Sequence, residues 1–97
     1  MSVEIALLGP IRVRLDDRTV PADAWSRRDA ASLVKLLALR SGRQMHREQL
    51  LDRLWPDLPV TEAAPRLHKA AHFARKAMGR PDAVVLRGEM VYLLPGV

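Results

Sequence analysis

The sequence predicts an α+β domain in which a small antiparallel sheet precedes three helices and a β-hairpin closes the chain. Apolar residues alternate with a period of two near both ends, whereas they recur at helical spacing through the middle. Glycine and proline separate these stretches. Because 97 residues have enough surface to bury only one core, we expect a single domain over residues 1–97.

The N-terminal sheet is predicted from two alternating stretches. Residues 3–8 alternate loosely before a Gly-Pro pair, and residues 11–15 alternate strictly, as a half-buried strand does. A turn at residues 16–18 leads to a short extended segment at residues 19–20.

The first helix is predicted to be central and buried. Ser26 followed by Asp29 resembles a capping box at its start, and Gly42 stands at the expected C-cap. Apolar residues cover more than half of its helical wheel: Ala30, Leu33, Val34, Leu36, Leu37 and Ala38. A helix this apolar needs partners on most sides.

The second helix is predicted to open at residues 46–49 and to stop at Pro56. Its apolar stripe consists of Leu50, Leu51, Leu54 and Trp55. Trp25 and Trp55 are more typical of core anchors than of ligand contacts, because the chain has few other large residues.

The third helix is predicted from Thr61 to Met78, with Gly79 ending it. Pro65 conflicts with that start, because proline lacks the N–H that a helix interior needs. Either the helix begins nearer Ala64, where a first-turn proline is tolerated, or its first turn is distorted.

The C-terminal hairpin is predicted from a return to period two. Residues 83–86 and 90–94 are strand-like, and a short glycine turn at residues 87–89 joins them. The predicted order is therefore β-β-β-α-α-α-β-β.

The composition favours a polyanionic partner. Sixteen Lys and Arg stand against eleven Asp and Glu, which gives a net charge of +5 and a pI near 10.7. The absence of cysteine excludes disulfides and thiolate metal sites. The start lacks the pattern of a signal peptide, and no window approaches the ~18 apolar residues of a membrane span. We expect a cytoplasmic protein with no membrane contact.

Basic side chains are concentrated in residues 66–79, interleaved with alanines. At 100° per residue, Leu67, Met78 and the alanines form one face, and Lys69 and Lys76 lie opposite. The basic side chains of this segment are Arg66, His68, Lys69, His72, Arg75 and Lys76. A helix with this outer face fits the major groove of DNA, which is ~12 Å wide.

The order helix, helix, hairpin is that of a winged helix-turn-helix. We therefore predict that base or groove contacts come from Lys69, His72, Phe73 and Lys76, with His68 on the same face. Phosphate contacts are predicted for Arg66 and Arg75, and also for Arg47 at the start of the second helix and Arg87 on the wing, which could instead enter the minor groove.

Several residues have a structural alternative. Phe73 could pack against the wing or a partner chain, and Arg75 could pair with Glu48 or Asp52 of the second helix. The whole domain could be a protein-interaction module on a winged-helix scaffold that has lost DNA reading.

Enzymatic and metal chemistry are not expected. His68 and His72 have the i, i+4 spacing of metal ligands, but Lys69 stands where an HExxH site needs glutamate, and no third ligand is evident. No catalytic constellation or cofactor motif is present in the sequence.

Four stretches resemble the DNA-binding domain of SARP-type bacterial transcriptional activators, a winged helix of the OmpR/PhoB type. They are LLGPIRVRLDDRTVP, LVKLLALRSGRQMHREQLLDRLWPD, ARKAMG and VVLRGEMVYLL, and together they span essentially the whole chain. The resemblance implies sequence-specific binding to double-stranded promoter DNA, often on direct repeats that bring two copies together. It also implies contact with RNA polymerase through the loop Pro56 to Val60, and a larger helical domain after this one.

Overall fold

The computed structural model describes residues 3–6, 11–15 and 18–97. These residues form three α-helices and two three-stranded antiparallel sheets, so the predicted α+β class is confirmed, and the architecture is compatible with a winged helix. The elements are β1 (Val3–Ala6), β2 (Arg12–Leu15), β3 (Arg18–Val20), α1 (Arg28–Ala38), β4 (Gln44–His46), α2 (Arg47–Leu54), α3 (Val60–Met78), β5 (Val84–Arg87) and β6 (Met90–Leu93). No helix in the described residues is long and apolar enough to cross a membrane.

The N-terminal sheet has the order β1-β2-β3. The strict alternation of residues 11–15 is confirmed, because Val13 and Leu15 are buried while their neighbours on β2 are exposed. Val13 pairs with Val20 of β3, so the inner face continues across the sheet. Arg18, predicted in a turn, already belongs to β3; residues 7–10 and 16–17 of these predictions lie outside the described residues.

The second sheet contains a strand that the sequence prediction missed. The predicted hairpin is confirmed as β5 and β6, with Gly88 at φ +60° in its turn. β4 adds to the other edge of β6, and Met45 lies opposite Val91. The order is therefore β-β-β-α-β-α-α-β-β. The sequence did not predict β4, because a strand of three residues is too short to show a period and is recognised only by its pairing with β6.

Both predicted ends of α1 were wrong. Its N-cap is Arg27 rather than Ser26, and no side chain caps it. The helix ends at Ala38 with Leu39 as C-cap, whereas Gly42 lies in a following 3₁₀ turn with φ +71°. The predicted central burial is confirmed, since Leu33, Val34 and Leu37 are fully buried.

α2 begins at Arg47, within the predicted range. His46 is its N-cap, and its ring Nδ1 accepts a hydrogen bond from the N–H of Glu48 at 3.2 Å. The helix ends at Leu54, before Pro56, as predicted.

α3 begins at Val60 and runs through Pro65, so a start near Ala64 is wrong. Pro65 cannot donate to the carbonyl of Thr61, but both residues are exposed and water can solvate that carbonyl. At the other end, Gly79 adopts the left-handed conformation with φ +67°, which confirms the predicted C-cap.

The core lies between the three helices and the inner faces of both sheets. α3 contributes a buried stripe of mostly small residues: Ala63, Leu67, Ala70, Ala71, Ala74 and Met78. Trp25 and Trp55 are half-buried and pack against this core, in keeping with their predicted role as anchors.

Arginine side chains fasten the outer segments to this core. Arg18 donates to the carbonyl of Met78 and so ties β3 to the end of α3. Arg80 donates to both carboxylate oxygens of Asp82, at 2.8 and 2.7 Å, in the turn before β5. These hydrogen bonds are the main reason why the pKa of the Asp82 carboxyl is lowered.

We expect Gly79→Ala to lower the free energy of unfolding by about 2 kcal/mol. A left-handed alanine costs about 1 kcal/mol, and the new Cβ would lie 2.9 Å from a guanidinium nitrogen of Arg18. Displacing Arg18 removes its hydrogen bond to Met78, which contributes about 1 kcal/mol. Urea denaturation followed by circular dichroism measures the loss.

Gly88→Ala is the matched control, because Gly88 also has a positive φ, but beyond its two chain neighbours no described atom lies within 4 Å of the added Cβ. It should cost only the conformational part, about 1 kcal/mol. Equal losses for the two variants would show that the Arg18 contact contributes nothing.

Candidate nucleic-acid interface

The outer face of α3 has the orientation that the sequence predicted. Lys69, His72 and Lys76 are exposed, while the alanines on the opposite side are buried. Arg66 and His68 are exposed on the two flanks of this face. We call the five residues the α3 basic face. A helix of 19 residues extends this face along about 28 Å.

Within the part of the chain that the structure describes, no acidic side chain forms an ion pair with the α3 basic face. Among the described residues, none of its five members forms a salt bridge or a side-chain hydrogen bond. The acid in the first turn of α3 is Glu62, which is exposed and precedes the face. Cations that have no protein partner remain available to an anionic ligand.

Arg75 has a structural role instead of the ion pair considered from the sequence. Its Nε donates to the carbonyl of Val84 at 2.8 Å, and the side chain is half-buried. The alternative partners, Glu48 and Asp52, do not bind it. Arg75 therefore holds β5 against α3. Only its remaining guanidinium N–H groups could make the predicted phosphate contact.

Phe73 is directed to the flank of α3 that faces the start of α1. The ring is half-buried, and the guanidinium carbon of Arg27 lies 4.6 Å from its centroid. The His72 ring meets it edge-on with 5.2 Å between centroids. Phe73 thus packs against Arg27 rather than against the wing. Its side chain is less exposed than the sequence predicted.

The turn between β5 and β6, residues 88–89, is bonded to the start of α2; we call it the wing turn and the β5–β6 hairpin the wing. The carbonyl of Glu89 accepts from the N–H of Arg47 at 2.8 Å, and the Glu89 carboxylate lies 2.9 Å from Nε2 of His46. Arg87 is exposed just before this turn, with its guanidinium 5.8 Å from the Tyr92 ring centroid. The half-buried Arg47 and the exposed Arg87 therefore both lie next to this turn, which the sequence could not show.

Arg27 belongs to the same surface, although the sequence did not predict it. Arg27, Arg66 and Lys69 line one concavity beside Phe73, although Arg27 is far from the others in the chain. The Arg27-Arg28 pair is visible in the sequence, but its position beside α3 depends on how α1 and α3 pack.

His68 and His72 are both exposed on α3. Over residues 3–6, 11–15 and 18–97, no three His, Cys, Asp or Glu side chains converge as a metal site would require.

We expect Arg75→Met to lower the free energy of unfolding by about 1 kcal/mol, because the carbonyl of Val84 loses its charged donor. Lys76→Met is the matched control: it removes one positive charge from the adjacent residue, which is exposed and has no ion pair or hydrogen bond from its side chain to any described residue. It should change stability by less than about 0.5 kcal/mol. Urea midpoints measure both variants. If the two variants unfold alike, the Arg75 hydrogen bond does not stabilise the fold.

Comparison with known proteins gives no further guidance. No protein-family model matches this chain, and no curated protein matches it. What this surface binds must therefore be inferred from the exposure, charge and contacts of its own residues.

Proposed function

We propose that this chain binds double-stranded DNA in a sequence-specific manner, as the DNA-binding domain of a bacterial transcription regulator. The observation that carries the proposal is the α3 basic face, on which Lys69, His72 and Lys76 are exposed and form no ion pair with any acid of the described residues. Such a helix, about 28 Å long and bare on one side, has the dimensions of a major-groove reader.

Within this proposal, the residues divide by what they contact. Lys69 and His72 near the middle of α3 suit base edges, since both can donate to guanine or adenine acceptors. Arg66 and Lys76 suit phosphates, which set affinity and register without reading sequence. The groove contact predicted for Phe73 is not part of this proposal, because the guanidinium carbon of Arg27 lies 4.6 Å from the centroid of its ring.

The position of the β5–β6 hairpin supports the proposal that α3 enters the major groove. Arg87 is exposed beside the wing turn, and the hydrogen bond from Arg47 to Glu89 holds that turn at the start of α2. Two cations on different elements can thus approach the phosphates that border the groove entered by α3.

One domain of this kind should bury about 600–1,000 Å² on DNA, which supports only modest affinity. Two copies on direct repeats, about one helical turn apart, would provide useful specificity. Following the resemblance to SARP-type activators, we propose a cytoplasmic, nucleoid-associated regulator that acts at promoters.

A second candidate function is protein docking, with or without DNA. A groove of about 510 Å³ between α2 and α3 has an apolar floor that includes Trp55, Leu58 and Val60, and Glu48 and Asp52 line it as well. Val60 is 60% exposed, which is unusual for a large aliphatic side chain in this fold. RNA polymerase contact near residues 56–60, implied by the resemblance, would use this groove.

We expect Lys76→Ala to weaken binding to all duplex sequences and to reduce the dependence of log affinity on log salt by about one unit. His72→Ala should instead change which bases are preferred. Fluorescence anisotropy with a random-sequence duplex measures the first effect, and selection from a pool of random duplexes measures the second.

Arg12→Ala is the control, since it removes an exposed cation from the N-terminal sheet rather than from α3. It should leave the salt dependence near that of the parent protein. If both α3 variants bind like the parent, α3 is not the interface. If the parent binds no duplex even at low salt, DNA binding is excluded and protein docking becomes the better explanation.

A further inference from the structure

The concavity between the start of α1 and the first half of α3 has the character of an anion site. It has a volume of about 390 Å³ and is open to solvent. Arg27, Arg66 and Lys69 converge on it, with Asp29 as the acid in its lining. No ion pair joins Asp29 to these cations within the described residues, so an excess of positive charge faces the space.

Arg27 is held in place by an aromatic ring. Its guanidinium carbon lies 4.6 Å from the centroid of Phe73, in the geometry of a cation–π contact. The planar guanidinium carries several N–H donors that match two oxygens of a phosphate. Within the described residues, no hydrogen bond or ion pair uses these donors. A side chain that is positioned in advance loses less conformational entropy when it binds.

This concavity and the wing lie on opposite flanks of α3. At 100° per residue, Arg66 and Phe73 lie on one flank of the α3 basic face, whereas Arg75, which bonds to β5, lies on the other. With α3 in a major groove, one flank meets each of the two backbones that border the groove. The wing serves one of them, and the α1 start faces the other.

We propose that Arg27, together with Arg66 and Lys69, binds a phosphodiester of the DNA strand that lies across the groove from the wing. This inference rests on the proposed function and adds to it a residue outside the helix-turn-helix and the wing. Phe73 acts as a positioning residue that orients Arg27. Phosphate contacts are thereby made on both sides of α3, and they fix the orientation of the helix in the groove.

Arg27→Gln tests the site in the full chain, with a random-sequence duplex followed by fluorescence anisotropy. We expect affinity at about 50 mM salt to fall about fivefold, and the dependence of log affinity on log salt to weaken by about 0.9, the value of one phosphate contact. Between about 50 and 200 mM salt, the deficit should therefore shrink about 3.5-fold. Circular dichroism and a urea midpoint verify that the variant folds.

Arg28→Gln is the matched control, because it makes the same charge change at the next residue, which is exposed and does not line the concavity. It should leave both quantities near the parent values. If Arg27→Gln behaves like the parent, or if both variants lose affinity equally, the site is overturned while DNA binding by α3 stands. If the parent itself shows no salt-dependent duplex binding, the proposed function fails and the site fails with it.

The role of Phe73 has its own test. In a Phe73→Leu background, which keeps an apolar side chain but removes the ring, Arg27→Gln should reduce affinity less than it does in the parent. An unchanged Arg27→Gln effect would overturn the positioning role.

Discussion

The close packing of α3 against the core is the constraint on which the rest of this structure depends. Its buried side consists largely of alanines, and Ala71 and Ala74 have no exposed surface. Small side chains allow two elements to approach closely, so one side of the helix is fully committed to α1 and the sheets. Lys69 and Lys76, on the opposite side of the helix, therefore extend into solvent. Both the Arg27–Phe73 contact and the Arg75–Val84 hydrogen bond follow from this placement of α3.

The arginines of this small domain have two different roles. Arg18, Arg43 and Arg75 donate to backbone carbonyls, and these hydrogen bonds fasten β3, the C-terminal residues and β5 respectively. Such side chains contribute to the net charge of +5, but these hydrogen bonds already use some of their N–H donors. Among the described residues, the cations of the α3 basic face, Arg27 and Arg87 make no such hydrogen bond. The net charge alone would therefore overestimate how many cations are unpaired.

Two junctions give that surface its shape. The turn between β5 and β6 is bonded to the start of α2 through Glu89, so the wing is not an independent hairpin. At the opposite flank of α3, the start of α1 contributes Arg27 over the ring of Phe73. α3 thus lies between two basic margins that belong to different elements. Such an arrangement is suited to a ligand with charge on both sides of a groove, which is the property of duplex DNA.

The sequence by itself determined the fold class, the hairpin, the C-cap at Gly79 and the outward orientation of Lys69 and Lys76. Each of these depends on local periodicity or on a single conformational preference, which neighbouring residues encode. Only the tertiary structure decided that β4 forms a strand, that Arg75 binds Val84, and that Arg27 lies beside Phe73. These contacts join residues distant in the chain or on separate elements, so no local pattern specifies them. They form because burial of the apolar faces of α1, α3 and the sheets brings these elements together.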